Sequence, residues 1–174
     1  YHVPFSELDA VIISHQHQDH FGIIPYLFAR GYRGNVYVPK GNKLLARIMW
    51  EDSLKIFESD CVKLEKRYNM NATPLYTQED IEIALEHLVE LPFGEDIVLF
   101  DDLTMHYYHA SHIVNAAQVH MTFKLGETIK RLGFTGDIGS DIEKDYILPY
   151  EPLPYSDIVL AECTYGDRKS TRLN

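Results

Sequence analysis

A chain of 174 residues with 45% hydrophobic side chains can build one sizeable core and falls outside the disordered class. Its formal net charge of −10 argues against a generally basic nucleic-acid binder. It leaves a phosphodiester substrate open, because two bound divalent ions would carry about four positive charges into the cleft itself.

No apolar run approaches the ~20 residues of a membrane span, and no signal peptide is recognisable. The two cysteines, Cys61 and Cys163, fit no metal-pair spacing. Reduced thiols, no membrane partner and a cytoplasmic, bacterial setting are therefore expected.

In chain order, residues 9–14 contain Ala10-Val11-Ile12-Ile13 and predict a buried strand. It runs directly into His15-Gln16-His17-Gln18-Asp19-His20-Phe21-Gly22, where three imidazoles and a carboxylate fall within six positions. Imidazole and carboxylate are preferred ligands for zinc and similar divalent ions. The bland alternative is a polar loop of surface histidines, which requires four ligand-type residues to coincide without cause. From Phe21 to Ala29 apolar residues recur at helical spacing, with Pro25 suited to a first turn. Asn35 to Val38 predicts a short strand ended by Pro39.

Lys43 to Glu58 predicts a long helix whose apolar stripe is Leu44, Leu45, Ile48, Met49, Ile56 and Phe57, with Trp50 in packing. Residues 59–73 read as charged and irregular, with Lys63, Lys66 and Arg67 on a solvated face. Thr77 is a good N-cap, followed by Glu79 and Asp80 at the positive end of the next helix. Ile81, Ala84, Leu85 and Leu88 recur at i, i+3, i+4 and i+7, and His87 lies off that stripe, in an exposed position.

From residue 96 the period is that of strands. Ile97–Phe100 and Leu103–Tyr108 flank an Asp101-Asp102 turn, and Val119–Leu125 and Thr128–Thr135 flank Gly126-Glu127. Asp157 to Ala161 predicts a last buried strand. Short strands interrupted by helices point to an α/β sandwich, with no repeat or interdomain linker.

Two further clusters carry ligand-type residues. His109-Ala-Ser-His112 lies just past a strand, and Asp137 ends another in Phe134-Thr-Gly-Asp137-Ile-Gly139. Alone, the first pair reads equally as surface histidines and the aspartate as an Asx-type turn. Beside the opening motif, a shared metal site explains His112 and Asp137 better.

At these residues the chain resembles the metallo-β-lactamase superfamily. HQHQDHFG, the His112 loop, FTGD and AECTYGDR are similar to that superfamily's successive motifs. WEDSLKIFESD and PLYTQEDIEIALEHLVELPFGE resemble its β-CASP branch, the nucleic-acid-processing nucleases that include the mRNA 3′-end cleavage endonuclease. The resemblance implies an αββα sandwich and two zinc ions. His15, His17 and His112 would hold the first, Asp19 and His20 would help hold the second, and Asp137 would bridge both. It also implies Asp19, Asp137 and Glu162 as catalytic residues, with Glu162 orienting a histidine general acid. The chemistry implied is attack of a metal-activated water on a phosphodiester, with RNA as substrate.

Departures from the family pattern qualify this. After His112 the family has Gly at the position of Asn115, and Asn tolerates a left-handed backbone better than most residues. The strand pair before the first motif, the β-CASP insert after AECTYGDR and the downstream histidines are not in this sequence. Residues 1–167 are therefore expected to be a partial metallo-β-lactamase domain and the whole chain a fragment. Residues 168–174 carry no core pattern and form a tail of open origin. The first site is expected to bind zinc and the second to be weak or empty.

Two other functions compete. One is a glyoxalase-II-like or lactonase-like hydrolase of small esters and thioesters, which shares HxHxDH. The other is an inactive scaffold paralogue, against which the intact ligand residues speak. ECTYGDR and PLYTQED favour the nuclease. Endonuclease against 5′-exonuclease, RNA against DNA, and homo-oligomerisation stay open.

Overall fold

The computed structural model of the chain describes residues 3–139 and 146–164. It divides into two compact units, Tyr1–Phe93 and Gly94–Asn174.

In the first unit a three-stranded parallel sheet has the order β1 (Ala10–Ile12), β2 (Asn35–Pro39), β3 (Leu88–Leu91). Parallel neighbours need crossovers, and helices supply them. α1 (Gln18–Phe21) and α2 (Ile24–Ala29) connect β1 to β2, and α3 (Lys43–Tyr68) and α4 (Gln78–Glu86) connect β2 to β3. The core of this unit is aromatic: Phe21, Phe28, Tyr32, Trp50 and Tyr76 are all buried, with Val36, Val38 and Ile81. α4 begins in a capping box, in which Thr77 accepts from the Asp80 N–H and the Asp80 carboxylate accepts from the Thr77 N–H.

In the second unit five strands follow the order β4 (Ile97–Phe100), β5 (Leu103–His109), β6 (Ala117–Leu125), β7 (Thr128–Phe134), β8 (Ile158–Leu160). β4 to β7 form an antiparallel meander, and β8 joins β7 in parallel. Both sheets with the helices of the first unit make this the mixed α/β class expected from the sequence. Among the described residues no helix is long and apolar enough to cross a membrane.

The structure departs from the sequence reading in several elements. α3 runs on to Tyr68 and stops at Asn69, which takes a left-handed φ of 52°. Residues 59–68 contain neither Gly nor Pro, and Lys66 and Arg67 suit the negative end of the helix. The buried face of α3 is Ala46, Trp50, Ser53 and Leu54, with Met49 and Phe57 beside it. Leu44 and Ile48, expected in the stripe, are 82% and 66% exposed, and Leu45 and Ile56 are exposed too. Small Ala46 and Ser53 flank Trp50 on one face, and the large indole needs that room more than the leucines need cover.

Leu88 opens β3 where a helix was expected to continue. His87 caps α4 half-buried, its ring 5.0 Å from that of Phe28. β1, expected buried, is half-buried along its length. Ile158, Val159 and Leu160, expected buried, are each more than half exposed; among the described residues β8 pairs with β7. The tail from residue 168 lies outside the described residues.

Candidate metal centre

Each unit, taken by itself, has ligand-type residues at a strand end. In the first, the Ile13 N–H donates to Tyr37 O at 2.9 Å, so the β1–β2 ladder extends right up to the histidine loop. Ser14 and His15 follow and are buried. Ser14 Oγ and His15 Nδ1 share a hydrogen bond of 3.0 Å, and His15 Nε2 lies 3.0 Å from His17 Nδ1. His17 has the extended backbone of an N-cap (φ −62°, ψ 150°) and turns the chain into α1. The His20 ring then returns to within 4.2 Å of the His15 ring, centre to centre. His20 Nε2 is 3.7 Å from Asp19 Oδ2, and the Asp19 side chain is 78% exposed. The loop thus gathers its three imidazoles and leaves its carboxylate in solvent.

α3 holds the α1 turn at both ends. Trp50 Nε1–H donates to Phe21 O at 3.0 Å, and Gln18 Nε2–H donates to Ser53 Oγ at 2.7 Å. Ser53 Oγ–H in turn donates to Met49 O at 2.8 Å.

In the second unit β5 ends at His109 and leads into a tight loop. It is closed by Ala110 N–H to Ala116 O and Ala116 N–H to Ile113 O, both 3.0 Å. Ser111 (φ 55°) and Asn115 (φ 60°) are left-handed, and Asn is among the residues that tolerate that conformation best. His112 Nε2 lies 3.4 Å from Asp137 Oδ2, both side chains roughly a quarter exposed.

The turn carrying Asp137 is held from two sides. Thr135 N–H donates to Leu160 O at 3.0 Å, and Glu162 N–H donates to Thr135 Oγ1 at 3.1 Å. The Glu162 carboxylate accepts the Ile138 N–H at 2.6 Å, and this bond is the main cause that holds the carboxyl below the usual carboxylate range. On the other side the Gly139 N–H donates to Ala110 O at 2.9 Å. A Cβ at Gly139 would lie 1.6 Å from Ser111 O, so only glycine lets the Asp137 loop sit this close to the His112 loop. His109 is not part of this arrangement; its N–H donates to Glu151 Oε2 at 2.7 Å, and burial pushes its imidazole pKa down.

The donor spacings suit a divalent ion. Two ligands on a tetrahedral zinc, each at about 2.0–2.1 Å, stand about 3.3 Å apart. The His15–His17 pair at 3.0 Å and the His112–Asp137 pair at 3.4 Å both fit that spacing. Within the first pair the two histidines turn opposite ring nitrogens toward each other, Nε2 from His15 and Nδ1 from His17.

The ligand-type residues are recognisable in the sequence; the supports Ser14, Ser53, Thr135 and Gly139 are not. Ser14 is betrayed by adjacency alone; nothing local links Ser53 to Gln18, 35 positions away.

No family model matches the chain. It is 40% identical over 172 residues to Ribonuclease TTHA0252 of Thermus thermophilus, a match covering 96% of this chain and 35% of that protein. It is 31% identical over 162 residues to Transcription termination factor FttA of Methanococcus maripaludis, covering 92% of this chain and 23% of that protein. The FttA protein of Methanocaldococcus jannaschii is 28% identical over 160 residues, with the same 92% and 23%. The chain thus spans between about a quarter and a third of the length of these curated relatives. Among solved structures, MEM-A1, a subclass B3 metallo-β-lactamase isolated from a soil metagenome library, aligns at 16% identity and a TM-score of 0.45. That alignment covers 75% of this chain and 42% of that one.

The chain is homologous to these ribonuclease and termination-factor proteins. The similarity runs over nearly the whole of this chain, in the stretch that contains its motif series.

Proposed function

We propose that this chain is part of a zinc-dependent hydrolase that cleaves RNA phosphodiester bonds, with two metal ions in the complete protein. The similarity to a protein named ribonuclease, at 40% identity over 172 residues, carries the reading. The presence here of HQHQDH, His112 and Asp137 supports it. His15, His17 and His112 would hold one ion as neutral imidazoles. Asp19 and His20 would contribute to a second, and Asp137 would serve both. Bound ions of this kind supply Lewis acidity toward phosphoryl oxygens and a nucleophilic water near neutral pH.

The chain's own residues then have distinct tasks. Imidazoles leave the ion's charge undiminished, while Asp137 offsets part of it and can be shared. Glu162 holds the Ile138 N–H and so keeps the Asp137 turn in one conformation. The glyoxalase-II-like alternative shares only the first motif and accounts for neither ECTYGDR nor PLYTQED. The FttA relatives make RNA released during transcription termination a reasonable substrate class to test alongside generic RNA.

The test is hydrolysis by the full-length protein of single-stranded RNA, a lactone and a thioester, each repeated with His17→Ala. RNA cleavage that needs zinc and vanishes with His17→Ala is the expected result. Hydrolysis of the lactone or thioester alone would sink the nuclease reading.

A further inference from the structure

Ser14 has no part in the reaction as proposed, yet it is 2% exposed and its Oγ lies 3.0 Å from Nδ1 of His15, which is 0% exposed. A neutral imidazole carries one proton on one of two nitrogens, and the group bonded to the other nitrogen decides which one is free to ligate. For His15 to ligate through Nε2, the nitrogen that faces His17, its Nδ1 must keep the proton. A buried N–H of that kind needs an acceptor inside the protein.

We infer that Ser14 is a positioning residue for metal binding: its hydroxyl accepts the His15 Nδ1–H and so fixes both the ring's orientation and its tautomer. Nε2 is then the basic nitrogen before any ion arrives. The inference rests on the metal-binding reading above, but the tautomer can be measured without metal. A hydroxyl suits the task because it accepts one hydrogen bond and still has a proton to donate elsewhere. It adds no negative charge beside the ligand set, as a carboxylate in the same place would.

The experiment compares the wild-type chain with Ser14→Ala and Ser14→Thr. Zinc affinity is read by competition with a chelating dye, and the His15 ring nitrogens by 15N NMR at constant alkaline pH, with and without zinc. Ser14→Ala should weaken zinc binding on the order of 10- to 100-fold, the usual effect of losing such a support, and Ser14→Thr should restore most of it. The metal-free wild type and Ser14→Thr should show a protonated Nδ1 and an unprotonated Nε2, and Ser14→Ala a mixture of tautomers. An alanine variant with wild-type affinity overturns the inference, and so does one whose His15 nitrogens are unchanged. If the wild-type chain binds no zinc at all, the metal reading falls, and the metal-free spectra alone decide the role of Ser14.

Discussion

At the scale of single residues, chemistry at the candidate centre depends on groups that are not ligands. Asp137 is held by Thr135, Glu162 and Gly139, and each does so through a backbone bond. Gly139 is the strictest of them. With Ser111 O 1.6 Å from where a Cβ would stand, Gly139→Ala has to push one loop off the other. Overpacking of this kind costs about 1–3 kcal/mol. Chemical denaturation of Gly139→Ala against the wild type checks this, and a loss below about 0.5 kcal/mol, the level of an ordinary surface change, would contradict it. Asn115 illustrates the opposite tolerance: the sequence departs from Gly there, and the loop keeps its left-handed turn.

At the scale of elements, α3 decides how firmly the histidine loop is seated. Its Trp50 is buried and bonded to Phe21 O, next to the α1 turn. Trp50→Ala should therefore lose about 3–5 kcal/mol of stability. Ile48→Ala, two residues away but 66% exposed, should stay within about 0.5 kcal/mol. Thermal or urea unfolding of the two variants separates the faces of the helix; equal losses would mean that the buried face has been misread.

α3 is also tied to α4 by Arg47, whose Nη2–H donates to Glu82 Oε2 at 2.7 Å. That hydrogen bond is the main reason the Glu82 carboxyl falls from the ordinary 4.5 to about 2. A depressed carboxylate pKa adds stability that is complete above the unfolded-state value and is lost as pH falls toward the folded-state value. Glu82→Gln should accordingly flatten the fall in stability between pH 4.5 and about 2, as followed by denaturation at a series of pH values. The pair is solvent-exposed, so added salt should shrink the difference.

At the scale of the whole chain, metal and stability should be linked. A ligand that binds only the folded state at a hundred times its dissociation constant adds about 2.7 kcal/mol. For a chain of this size, that corresponds to a rise in melting temperature of roughly 5–10 °C. Zinc should produce such a rise in the wild type and a chelator should abolish it, while His17→Ala should show little response. An equal zinc response in both proteins would place the ion elsewhere.

Much of this chain was readable without coordinates, because the relevant signals are local. Apolar runs and 3.6-residue periods placed β1, β2, α4 and the individual strands β4 to β7, and Thr77 with Asp80 marked a helix start. The short spacing of His15, His17, Asp19 and His20 marked the ligand loop. What only the tertiary structure decided depends on contacts between residues distant in sequence. Periodicity on α3 pointed to the leucines, but the face that packs is the one where Ala46 and Ser53 make room for Trp50. The apolar run at Ile158–Leu160 reads as buried, yet each of its residues is more than half exposed, because exposure depends on what packs against the faces of the strand. The ring nitrogen that His15 turns toward His17 is likewise a matter of geometry, since both nitrogens are present in every histidine. Composition and spacing determine which chemical groups are available; burial and orientation, set by packing, determine which of them can be used.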